Sequence, residues 1–130
     1  MTGALLSLVI PRRMPTVNVW HGGPAWKFSK ERDAWLVAIG WLPEVRWFAA
    51  RQRQGARPCS VQIVRLMEPG ERRYDEDNLR GGAKPILDVL KRCGVLKSDT
   101  PKWCTQIPPE QRLATDGERL PGTLITVSLL

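Results

Sequence analysis

The apolar run ALLSLVI, residues 4–10, is closed by Pro11, and its length and β-branched content predict a strand. The next segment, PRRMPTVNVWHGGPAW, carries three prolines and a Gly-Gly pair and reads as a loop. Ser29 is the expected N-cap of a helix through SKERDAWLVAIGWL, where Trp35, Leu36, Ile39 and Leu42 recur at helical spacing. Pro43 stops or kinks that helix, and EVRWFAARQRQ reads as a further helical piece ended by Gly55 and Pro58. CSVQIVRLM, residues 59–67, alternates and is rich in β-branched residues; Val61, Ile63 and Leu66 are assigned to one face, Gln62 and Arg65 to the other. A turn at Pro69-Gly70 follows. KPILDVLKRCG is amphipathic, with Ile86, Val89, Leu90 and Cys93 as its buried stripe and Lys84, Asp88, Lys91 and Arg92 as its wet face. Pro85 suits a first helical turn, so this helix is expected to begin near Lys84, after a flexible RGGA, and to stop at Gly94. A short strand at Trp103–Ile107 and a terminal strand in TLITVSLL complete the chain. The order β, α, β, α, β(β) predicts an α/β (α+β) fold, a small mixed sheet covered by helices, as one compact domain over residues 1–130.

Composition alters this picture in one respect. At 42% apolar and 25% charged the chain is ordinary for a globular protein. Yet 20 Lys+Arg stand against 13 Asp+Glu, for a net charge of +7, and an excess of that sign favours polyanion partners. Arg46, Arg51, Arg53 and Arg57, then Arg72, Arg73, Arg80, Lys84, Lys91, Arg92 and Lys97, concentrate it in the central half of the chain. The alternative is a solubilising surface. Three cysteines without C-x-x-C spacing suggest neither a disulfide framework nor a zinc ribbon, and fit a reduced, cytoplasmic protein. The first residues lack the layout of a signal peptide, and no segment has the length of a membrane span.

Inside this basic stretch sits RRYDEDNL, with Asp75, Glu76 and Asp77 in succession. In extended backbone the side chains at i and i+2 share a side, so Asp75 and Asp77 could reach one hard cation while Glu76 faces away. Asp99 lies beyond the amphipathic helix, and a helix folding back could return it to the strand end. Three carboxylates on one ion would suit metal-assisted hydrolysis of a phosphodiester. A bare D-x-D is equally at home in a solvated turn, and Asp77 or Asn78 could cap a helix. Spacing alone leaves the two readings level. An EF-hand loop is excluded, because its fifth, sixth and twelfth places hold Leu79, Arg80 and Ile86.

DEDNL…KPILDVLKRCGVLKSD resembles the signature of the RusA family of Holliday junction resolvases of bacteria and their phages. MPTVNVW and SKERDAW also resemble that family's opening loop and first helix. The resemblance implies a Mg²⁺-dependent (or Mn²⁺-dependent) endodeoxyribonuclease that resolves four-way DNA junctions as a homodimer. It implies Asp75, Asp77 and Asp99 as metal ligands and Lys84 as the residue that contacts the scissile phosphate. Arg72, Arg73, Arg80, Lys84, Lys91, Arg51 and Arg53 would then bind the DNA. Two departures stand out. The run from Asp77 to Lys84 is longer than the family spacing, so either Lys84 reaches the site through a looped-out RGGA or Arg80 takes its role. Ser98 stands where the family often has an acid. The alternative function is a branched or single-stranded DNA-binding module of the same fold with little or no cleavage.

Other residues have plainer readings. Asp88 sits between Lys84 and Arg92 at ion-pair spacing and is read as structural. His21 is read as a solvent or substrate contact, and Asn18 as a loop residue that also touches phosphate. Tyr74 either stacks on an unpaired base or seals the site wall. Trp35, Trp41, Trp47 and Phe48 are assigned to the core, while Trp20 and Trp26 are the better candidates for a DNA or dimer contact.

Overall fold

Strand β1, Leu5–Ile10, alternates exposed and buried positions, so that Leu6, Leu8 and Ile10 face inward. In the computed structural model, residues 5–16 and 25–130 are described. The remaining elements are α1 (Ala25–Ile39), α2 (Pro43–Gln54), β2 (Cys59–Met67), α3 (Glu76–Arg92), β3 (Cys104–Gln106), β4 (Glu110–Leu113) and β5 (Gly122–Leu129). The sheet order is β1-β5-β2-β3, and β4 also pairs with β2. β5 is antiparallel to both β1 and β2, whereas β3 and β4 run parallel to β2. β3 pairs with Cys59–Val61 and β4 with Val64–Met67, so the two short strands share one edge of β2. Between them lies the Pro108-Pro109 pair, whose ring nitrogens have no N–H to give a ladder. Among the described residues the result is one compact α+β domain, a mixed five-stranded sheet with three helices.

One core joins the layers. Leu6, Leu8 and Ile10 of β1, Val61 and Ile63 of β2, and Ile125 and Val127 of β5 meet Trp35 and Ile39 of α1, Val45 and Phe48 of α2, and Ile86, Val89 and Leu90 of α3. Removing this apolar area from water is the main favourable term in folding. Among the described residues no helix is long and apolar enough to cross a membrane.

Several expectations are corrected here. α1 begins at Ala25, so Ser29 lies within it, and it ends at Ile39 rather than Leu42. Pro43 opens α2 at its first turn, where a missing N–H costs nothing. Strict alternation along β2 puts Arg65 on the same side as Val61 and Ile63, and Leu66 on the other. Trp35 and Phe48 are core residues, but Trp41 and Trp47 are 65% and 57% exposed. β4 has no counterpart in the sequence reading.

The largest correction concerns α3, which starts at Glu76 and includes the whole RGGA segment. Gly81 and Gly82 are buried helical residues. At Gly82 an added Cβ would stand 2.0 Å from the carbonyl oxygen of Pro15. Here glycine serves close approach of the chain leaving β1. Pro85 is accommodated inside the helix.

Candidate nucleic-acid interface

Asp75 is the N-cap of α3: its Oδ1 accepts the Asn78 backbone N–H at 2.8 Å, and its Oδ2 accepts Asn78 Nδ2 at 3.3 Å. Asp77 therefore lies in the first helical turn and not in extended backbone, which removes the geometry expected for a shared ion in a strand. Both acids, with Glu76, sit where the positive end of the helix dipole favours them.

The approach to this helix start is held by a polar cluster that the sequence did not disclose. Arg65 is 3% exposed and donates to Glu71 Oε2 (2.9 Å), Arg72 O (3.1 Å) and Gln111 Oε1 (3.1 Å). Its guanidinium lies over the Tyr74 ring at 3.6 Å. Gln111 clamps the Tyr74 backbone twice, accepting from its N–H at 2.9 Å and donating to its carbonyl at 2.7 Å. The Tyr74 hydroxyl donates to Met14 O at 2.9 Å. One face of the Tyr74 ring and its hydroxyl are thus engaged within the fold. A buried cation satisfied on this many sides fixes local geometry.

α3 folds back along β2, and that return carries Asp99 away from Asp75. Gln52 Nε2 donates to Val95 O at 3.0 Å and contacts Cys59 Sγ at 3.2 Å, so the chain beyond α3 lies at the start of β2. Burial and the charge of Asp99 both raise the Cys104 thiol pKa, and Cys104 pairs with Cys59 at that same end. Asp75, by contrast, follows Tyr74, which packs on Arg65, and the six steps of strand from Cys59 to Arg65 span roughly 20 Å. Within one protomer the three carboxylates do not fit a single ion. Among the described residues no group of three or more His, Cys, Asp or Glu side chains is placed to hold a metal.

What α3 does bring together is charge. Asp77, Arg80, Lys84, Leu87 and Lys91 are spaced by three and four and so share one helical face. Arg80, Lys84 and Lys91 are exposed. Asp88 pairs with Arg92 (3.4 Å) and with Arg32 of α1 (3.6 Å), which leaves Lys84 outside that ion pair. Arg80 and Lys84 stand one turn apart and line the same cavity. Arg72 and Arg73 are exposed beside the acidic helix start. Arg51 and Arg53 are exposed on α2; Arg51 lies over the Trp47 ring at 4.9 Å, and Arg53 lines an open groove of about 790 Å³ with Trp41, Arg46 and Cys93. Trp26 is exposed on α1, while Asn18, Trp20 and His21 fall outside the described residues.

No protein-family model matches this chain, and the search of curated proteins found no match.

Proposed function

We propose that this protein binds branched DNA and cuts it hydrolytically as a Mg²⁺-dependent endonuclease of the RusA type, with four-way junctions as its substrate. The observation that carries this reading is the single face of α3, where Asp77 is followed by Arg80, Lys84 and Lys91. An acid beside a row of exposed cations suits a surface that meets a phosphate backbone and a divalent ion together. Asp75, Glu76 and Asp77 are acids that one protomer offers at that end. An isologous dimer, the assembly that the resemblance implies, is the arrangement in which residues from opposite ends of the fold can meet.

A second reading, binding without cleavage, is favoured by the position of Asp99 at the other end of β2. A synthetic four-way junction incubated with the protein in Mg²⁺ and in EDTA separates the two. Paired nicking that needs the metal is the expected result. Retention of the junction with no cutting across several divalent metals would leave the binding module.

A further inference from the structure

Between the middle of α3 and the connection from β3 to β4 lies a cavity of about 400 Å³. Arg80 and Lys84 stand at it with Gln106, and among the described residues no acid lines it. Its apolar walls are Val61 and Ile63 from β2, Leu87 from α3, and Ile107, Pro108 and Pro109 from the connection. We propose that this cavity seats one unpaired nucleotide of a DNA strand, its phosphate on Arg80 and Lys84 and its base against the proline and aliphatic wall.

The size of the cavity, its charge and its chemistry all favour this occupant. The volume lies in the lower part of the range for small-molecule sites, about 300–1,000 Å³, enough for one nucleotide and too small for a duplex. Two cations one helical turn apart, about 6 Å along the axis, can bracket one phosphate or hold successive ones. An apolar wall accepts the face of any base, and the Gln106 amide offers both a donor and an acceptor to a base edge. The wall is also stiff. Ile107 N–H donates to Val61 O at 2.9 Å, and the two prolines that follow have fixed φ. Asp77 lies on the same face about 10 Å along the helix from Lys84, so a nucleotide held here runs beside the acidic end.

The inference rests on the DNA-binding reading, yet its test does not require cleavage. Amide chemical shifts of the full chain are followed while thymidine 5′-monophosphate, thymidine, inorganic phosphate or a five-residue oligothymidylate is added. The monophosphate and the oligonucleotide should shift the amides of residues 80–87 and 106–107 saturably, the oligonucleotide at lower concentration. Arg80→Gln with Lys84→Gln, both at exposed positions, should weaken each by about tenfold or more while leaving the rest of the spectrum unchanged. Inorganic phosphate acting as strongly as the nucleotide would reduce the cavity to an anion contact and overturn the proposal. So would shifts confined to other residues, or a monophosphate that binds where the oligonucleotide does not. A junction that is nicked while these amides stay silent sinks the pocket and keeps the nuclease. Saturable shifts here with neither nicking nor junction retention keep the pocket and sink the junction reading.

Discussion

Asp75 both caps α3 and carries charge, and two substitutions separate these roles. Asparagine caps as well as aspartate, so Asp75→Asn should leave thermal unfolding nearly unchanged while lowering any metal-dependent nicking. Asp75→Ala should cost about 1 kcal/mol of stability in addition. Asp77 is exposed and makes no cap contact, so Asp77→Asn should abolish cutting and keep junction retention in a gel shift. Normal cleavage by that variant would remove the acids from the reaction. Gly82 tests packing alone: Gly82→Ala puts a methyl group against Pro15 O and should destabilise by about 1–3 kcal/mol, read as a lowered urea midpoint. Residues of this kind explain what was legible. The cations and acids of α3 could be named from the chain because side-chain type and helical spacing are local. Arg65, Glu71 and Gln111 could not, because their roles exist only when β2, its following turn and β4 are adjacent.

At the scale of elements, periodicity located β2, most of α1 and the second half of α3 because each has a buried face of its own, while β1 and β5 stood out as short apolar runs. The first half of α3 was hidden by Gly81 and Gly82, which read as breakers when isolated and as spacers when another backbone lies against them. β4 was hidden for another reason: Glu110–Leu113 is partly exposed, and its partners on β2 are distant in sequence. The cluster around Arg65 is the joint between β2 and α3. Arg65→Met should leave Gln111 without its cation and Glu71 with only the more distant Arg13 (3.9 Å), and cost about 3 kcal/mol. Faster amide exchange in residues 68–75 would mark that joint as the part released. The thiols offer an independent check on the helical layer. Cys93 borders the open groove, whereas Cys59 and Cys104 are buried. Alkylation of the native protein should reach Cys93 first and the other two only on unfolding.

For the whole molecule, the separation of Asp99 from Asp77 makes assembly testable. Asp77→Asn and Asp99→Asn should each be inactive alone. If sites are shared between protomers, mixing the two variants and allowing exchange should restore nicking at up to about a quarter of the wild-type sites. Absence of recovery, with exchange verified, would exclude a shared site. Stability should also depend on pH on the alkaline side. Burial pushes the Cys59 thiol up to about 11 from 9.0, and Gln52 and Arg57 offset only part of that rise. The folded chain therefore holds this proton where the unfolded chain has lost it. Its stabilisation is complete below pH 9 and declines as pH rises toward 11. Urea unfolding at pH 8 and pH 10.5 should show a decline that Cys59→Ala diminishes. The split sheet edge has a consequence for how copies of the chain meet. A sheet margin with free N–H groups invites strand addition from a neighbour, and with it aggregation. Here two consecutive prolines interrupt that margin between β3 and β4, so an incoming strand finds no continuous ladder. The same interruption means that a second copy meeting this flank would have to do so through side chains rather than by extending the sheet.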